Sequence, residues 1–145
     1  MSAPDALAVY LDASALTKLV VEEPESAALV AYIGGRIPMS SDLALVEVPR
    51  AVRAVAARSA EPLPLRAVME RVDELFGDVG FVAADPETLA DAAMLDPATL
   101  RTLDAIHIAA ARSVGFCDFV TYDHRQADAA RAAGLRTASA ARWTS

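Results

Sequence analysis

Residues 103–134, LDAIHIAAARSVGFCDFVTYDHRQADAARAAG, decide the fold class. Leu103, Ile106, Ala110 and Val114 recur at helical spacing, so Leu103–Val114 is predicted as a helix. Phe119–Tyr122 is short, apolar and aromatic, which predicts a strand. Arg125–Ala133 is helical again and stops at Gly134, which tolerates the backbone of a helix end.

The same alternation extends outward. Leu7–Leu11 (LAVYL) reads as a buried strand that ends at Asp12. A helix follows from Ser14, with Leu16, Leu19 and Val20 at helical spacing, and Pro24 stops it. Ser26–Tyr32 is a second short helix closed by Gly34 and Gly35, and Ile37–Met39 a short strand. Ser41 or Asp42 is expected to cap a helix running toward Arg58, with a kink or boundary at Pro49. Leu65–Phe76 is helical, with Gly77 after it, and Phe81–Ala83 is a strand. Asp85-Pro86 and Asp96-Pro97 both read as a helix cap followed by proline in the first turn. A last strand is expected near Thr137. Strands alternating with helices predict an α/β fold, with a mostly parallel sheet covered on both faces.

Length and composition set bounds. The 145 residues suit one domain, taken as 1–145, and 54% hydrophobic with 23% charged residues is a globular composition. One cysteine, Cys117, excludes an intrachain disulfide framework and fits a reducing cytoplasm. No apolar run approaches the roughly 20 residues of a membrane span, and Met1–Leu7 carries no base ahead of its apolar stretch, unlike a secretory signal. The net charge of −7 weighs against a polyanion partner, but it does not say where the charges lie. A carboxylate cluster built to hold metal would itself add to the count.

Four acids stand out. In open parallel sheets, sites form beyond the carboxyl ends of the strands. Asp12 follows the first strand and Asp123 follows Phe119–Tyr122. Each could be only a helix cap, but Ser14 is the better cap for the first helix and leaves Asp12 free. Glu47 lies among Leu43–Val48 and Asp104 between Leu103 and Ala105-Ile106. Acids in such surroundings are seldom buried without a partner. The bland alternative is an intrahelical pair, Glu47 with Arg50 and Asp104 with Arg101.

If the four converge, two like charges about 4 Å apart repel by about 4 kcal/mol at an effective dielectric near 20. Such a cluster calls for protons or a cation. Mg²⁺ or Mn²⁺ suits carboxylate and water oxygens. No Cys/His set exists for zinc, and His107 reads as packing beside the site. A carboxylate-bound metal pair suits in-line phosphodiester hydrolysis. No Ser-His-Asp constellation, phosphate-binding loop or Gly-x-Gly-x-x-Gly sequence is present.

Four blocks then carry a resemblance: VYLDASALTKLVVEEPES with Asp12 and Ser14, SSDLALVEVPRAVRA with Glu47, LRTLDAIHIAAARSVG with Asp104, and FVTYDHRQADAARAAGL with Thr121 and Asp123. On these residues, over about 8–140, the sequence resembles the PIN-domain nucleases and, among them, the VapC-type toxins of bacterial toxin–antitoxin pairs. The resemblance implies a five-stranded parallel sheet sandwiched by helices. It implies a Mg²⁺- or Mn²⁺-dependent endoribonuclease, a homodimer, inhibition by a VapB-type antitoxin, and contact with DNA only through that antitoxin. It carries over Asp12, Glu47, Asp104 and Asp123 as metal ligands, with Ser14 and Thr121 as hydrogen-bonding groups behind them. Lys18, Arg50 and Arg125 lie near the motifs as candidate phosphate contacts.

Two alternatives stay open. One is a PIN nuclease of RNA processing outside any toxin pair. The other is a phosphoacceptor signalling module, which needs paired acids after the first strand and a late lysine; here Asp12 stands alone and the only lysine is Lys18. Asp42, Asp85 and Asp96 read as caps, and Asp73 with Glu74 as a solvated face. Trp143 could cover the core edge or a dimer contact.

Overall fold

Parallel pairing of apolar runs builds the core of the protein. The computed structural model describes residues 6–61 and 63–138, so Trp143 lies outside the described residues. The strands are β1 (Ala8–Leu11), β2 (Ile37–Ser41), β3 (Gly80–Val82), β4 (Cys117–Val120) and β5 (Arg136–Ala138). They form one sheet in the order β3-β2-β1-β4-β5, and every pairing is parallel. The helices are α1 (Ala13–Lys18), α2 (Ser26–Ile33), α3 (Ala44–Arg58), α4 (Leu65–Asp78), α5 (Pro86–Ala93), α6 (Thr102–Val114) and α7 (His124–Ala132).

Side chains alternate across β1 as the strand period requires. Val9 and Leu11 join α1, α2, α3 and α4 in one core, through Leu16, Leu29, Val48 and Val68 among others. Tyr10 points the other way and packs with Phe119, Ile108 of α6 and Ala129 of α7. Its ring stacks on Phe119 with centroids 5.5 Å apart. Helix α5 lies on α6 through Ala92, Ala105, Ile106 and Ala109. Helices thus cover both faces, as the alternation predicts.

The local departures have physical reasons. Helix α3 runs unbroken through Pro49, with no boundary there. The bond that Pro49 cannot make is to the carbonyl of Leu45, a residue 46% exposed, where water can serve instead. Neither Ser41 nor Asp42 is the N-cap of α3: that residue is Leu43, which makes no side-chain cap. Ser41 Oγ accepts from Leu43 N at 3.2 Å, and Asp42 reaches across to accept from Ala84 N, also at 3.2 Å.

Asp85 caps α5 as expected, accepting from Thr88 N at 2.8 Å. Asp96 caps nothing. Its cis peptide to Pro97 leads into a turn closed by Leu100 N on Pro97 O, and helix resumes only at Thr102. Strand β4 starts two residues earlier than expected, and Gly77 lies inside α4. Leu103 is 48% exposed, so the buried stripe of α6 runs through Ala105–Ala111 instead.

Candidate active site

The strand order reverses between β1 and β4, and the crevice beyond their carboxyl ends is where open α/β sheets bind ligands. Asp12 N donates to Val120 O at 3.3 Å, so the chain leaves β1 and β4 side by side. Asp12, Thr121 and Asp123 therefore share one end of the sheet.

Asp12 is 5% exposed and uses both carboxylate oxygens. Oδ1 accepts from Ala15 N at 2.9 Å and from Ser14 Oγ at 2.7 Å. Oδ2 accepts from Thr121 Oγ1 at 2.7 Å. The cap of α1 is thus Asp12 itself and not Ser14, because its extended backbone (φ −74°, ψ 176°) carries the carboxylate over the first turn. Ser14 donates to that carboxylate. Each carboxylate oxygen has two acceptor positions, so Oδ2 keeps one open. Burial pushes the Asp12 carboxyl above its ordinary value, while the bonds from Ala15, Ser14 and Thr121 and the nearness of His107 hold it down.

Asp123 caps α7, its Oδ1 accepting from Arg125 N at 2.9 Å and Gln126 N at 3.3 Å. Asp104 lies in the first turn of α6. Its carboxyl is pushed up first by burial, then by the charges of Asp123 and Asp12, with Arg101 pulling it back. Glu47 lies in the first turn of α3, two residues after the carbonyl that Pro49 cannot bond. Its Oε1 stands 2.6 Å from His107 Nε2, and His107 Nδ1 stands 2.7 Å from the Tyr10 hydroxyl. Ser14 joins the two sides: it lines one hollow with Glu47, Thr17 and Lys18, and a larger cleft with Asp104 and Asp123.

As they stand, no three His, Cys, Asp or Glu groups among the described residues are gathered closely enough to hold a metal ion. Asp12, Asp123 and Glu47 are each drawn to the hydrogen bonds just described. The donor set is nevertheless all oxygen, and two of its members carry carboxyls raised by burial. That chemistry fits a hard divalent cation.

The candidate phosphate contacts fare differently. Lys18 is held by Glu23 and by Glu25 at 3.3 Å, with its ammonium 4.6 Å from the Tyr122 ring centre. Its charge is already matched. Arg50 is exposed beside Arg53 and Ala54, in a hollow that none of the four acids lines. Arg125 lines the cleft that contains Asp104 and Asp123.

Three residues have a place at the site that the sequence does not assign to them. Gln126, 1% exposed, lies 2.8 Å from Thr121 Oγ1 and donates to the Asp104 carbonyl at 3.4 Å, tying α7 to α6. Its signal was a polar residue on the Gln126, Ala127, Ala129, Ala130 stripe. Arg101 was read only as a possible partner of Asp104, and it also lines the cleft. Tyr10 gave no signal within an apolar run.

The chain matches the PIN domain family over residues 9–132. It is 42% identical over 138 residues to ribonuclease VapC46 of Mycobacterium tuberculosis, covering 88% of this chain and 94% of that protein. It is 36% identical over 134 residues to ribonuclease VapC47 of the same species, covering 90% of this chain and 96% of the relative. Ribonuclease VapC35, again from Mycobacterium tuberculosis, is 36% identical over 134 residues, with 88% and 93% covered. A five-stranded parallel sheet, an acid-lined switch point and these identities along nearly the whole length place the chain in the PIN-domain family and, within it, among the VapC proteins.

Proposed function

We propose that this chain is a metal-dependent endoribonuclease and the toxin half of a toxin–antitoxin pair, folded as one PIN domain over 1–145. Asp12, Glu47, Asp104 and Asp123 are its metal ligands, directly or through water, with Mg²⁺ or Mn²⁺ as the cation. What supports this most is that Asp12 and Asp123 share the carboxyl end of the sheet and that Asp104 lines one cleft with Asp123 there. Carboxylates brought together at a strand switch point favour a bound cation. The relatives named as ribonucleases favour RNA as the substrate.

A divalent ion held by Asp12, Glu47, Asp104 and Asp123 would supply Lewis acidity for hydrolysis of a phosphodiester. The chain's own part is to hold the donors. Thr121 and Ser14 fix the two oxygens of Asp12 from opposite sides. The Thr121 hydroxyl has one proton and two acceptors in reach, Asp12 Oδ2 and Gln126 Oε1, and the charged acceptor is the stronger. His107 fixes Glu47.

The same reading gives a cytoplasmic homodimer restrained by a VapB-type antitoxin, which alone touches DNA. The test is cleavage of cellular RNA by the purified protein with Mn²⁺ or Mg²⁺, with EDTA and with Asp12→Asn. Cleavage is expected only for the unsubstituted protein with metal. Full activity of a folded Asp12→Asn protein would sink the mechanism.

A further inference from the structure

Gln126 touches the surroundings of three of the four acids. Its backbone N donates to Asp123 Oδ1 at 3.3 Å, its Nε2 donates to the Asp104 carbonyl at 3.4 Å, and its Oε1 stands 2.8 Å from Thr121 Oγ1. Thr121 Oγ1 in turn donates to Asp12 Oδ2 at 2.7 Å and accepts from Asp123 N at 3.1 Å. One buried side chain thus stands between the first turn of α6, the first turn of α7 and the residue that follows β4.

Packing alone does not ask for an amide here. Gln126 shares the buried face of α7 with Ala127, Ala129 and Ala130. A buried amide costs free energy unless its hydrogen bonds are made, and an apolar side chain of the same shape would fill the space without that cost. Thr121 does not require it, since its oxygen already has a carboxylate to donate to and an N–H to accept from. The helix does not require it either, because Asp123 is the cap of α7. What the amide adds is the bond to Asp104 O. Among the described residues, this is the only hydrogen bond between α6 and α7, and it lands on the residue that carries an acid.

We propose that Gln126 is a positioning residue, which holds Asp104 and Asp123 at a fixed spacing from Asp12 and so suits the site to Mg²⁺. The proposal rests on the metal-dependent reading above and adds which residue outside the acids sets their spacing. Mg²⁺ demands near-octahedral oxygen ligands at short range, whereas Ca²⁺ accepts more ligands in a looser arrangement. A frame that keeps the acids in place favours the stricter ion, and loosening the frame costs Mg²⁺ first.

The test is calorimetric titration of the whole chain with Mg²⁺ and, separately, with Ca²⁺. Gln126→Met keeps about the same length and volume and removes the amide. Gln126→Asn keeps the amide and removes its reach. Each variant is expected to bind Mg²⁺ about 10-fold more weakly and Ca²⁺ about 3-fold more weakly or less. The melting temperature in EDTA is expected to stay close to that of the unsubstituted protein. In RNA cleavage with Mg²⁺, kcat is expected to fall about 10-fold, with KM for RNA unchanged. Equal losses for the two ions overturn the assignment, and variants that no longer fold in EDTA do the same, since the amide is then a purely structural group. An unsubstituted protein that binds neither ion overturns the metal-dependent reading and this proposal with it. One that binds Mg²⁺, beside variants that match its affinity, overturns the role of Gln126 alone.

Discussion

His107 Nε2 stands 2.6 Å from Glu47 Oε1, a contact that joins residues 60 positions apart. A carboxylate only accepts, so Nε2 carries a proton. In the neutral ring Nδ1 then accepts from the Tyr10 hydroxyl at 2.7 Å, and burial keeps that phenol protonated by raising its pKa far above the ordinary value. With His107 1% and Tyr10 0% exposed, the pair is a fixed support for Glu47. Tyr10→Phe leaves Nδ1 buried without a donor. It is expected to cost about 1–3 kcal/mol of stability in urea denaturation. Supports of this kind are worth about 10-fold or more in metal affinity, so Mn²⁺ binding by calorimetry should weaken by that much. Unchanged Mn²⁺ affinity would leave the pair a purely structural role.

Asp104→Asn removes a charge that burial, Asp123 and Asp12 all disfavour. In metal-free buffer the substitution is expected to stabilise the fold by on the order of 1 kcal/mol, while cleavage falls by about 100-fold or more. Thermal melting in EDTA and a cleavage assay with Mn²⁺ check the two halves. A destabilised Asp104→Asn protein would mean that the carboxylate has a folding partner.

Metal itself should act as a stabiliser. At free Mn²⁺ about 100 times its dissociation constant, a single site adds about 2.7 kcal/mol to unfolding, and EDTA reverses it. Asp12→Asn keeps a side-chain oxygen able to cap α1, so it should fold yet lose most of this gain. An equal gain in both proteins would put the ion elsewhere.

Asp118 of β4 makes a contrasting case at another point of the sheet. Its Oδ2 accepts from Arg36 at 2.6 Å and from the Tyr32 hydroxyl at 3.2 Å, and Arg136 Nε stands 3.2 Å from Oδ1. Asp118→Asn breaks a buried pair and strands a cation, which costs about 3 kcal/mol or more. A lower melting temperature is expected, with RNA cleavage unchanged well below it.

Asp118 also marks how far the sequence could be read. It lies between Cys117 and Phe119 and is 3% exposed, so it satisfies the rule that singled out Glu47 and Asp104. Its partners come from α2, the turn after α2 and the sheet edge, and no local spacing announces them. Strand-end logic did better, because Asp12 directly follows β1, Asp123 comes shortly after β4, and the parallel pairing sets those ends together. Caps were legible only where the backbone agreed. Asp85 starts its helix, whereas at Asp96 the chain turns first, and Ser14 yields to Asp12 through a difference of backbone angle. Pro49 looked like a break because one lost bond is costly when buried; on an exposed turn of α3 it is not.

The hydrogen bond from Thr121 to Asp12 spans 109 positions of chain. A ribosome making this protein releases Asp12 and Glu47 before Asp104 and Asp123, and β1 has no β4 beside it until the later part has emerged. Domains fold as units once their parts are present, so the growing chain carries only half a blade. For an enzyme that destroys RNA, that order of synthesis keeps the set of acids incomplete until β4 has emerged and found β1.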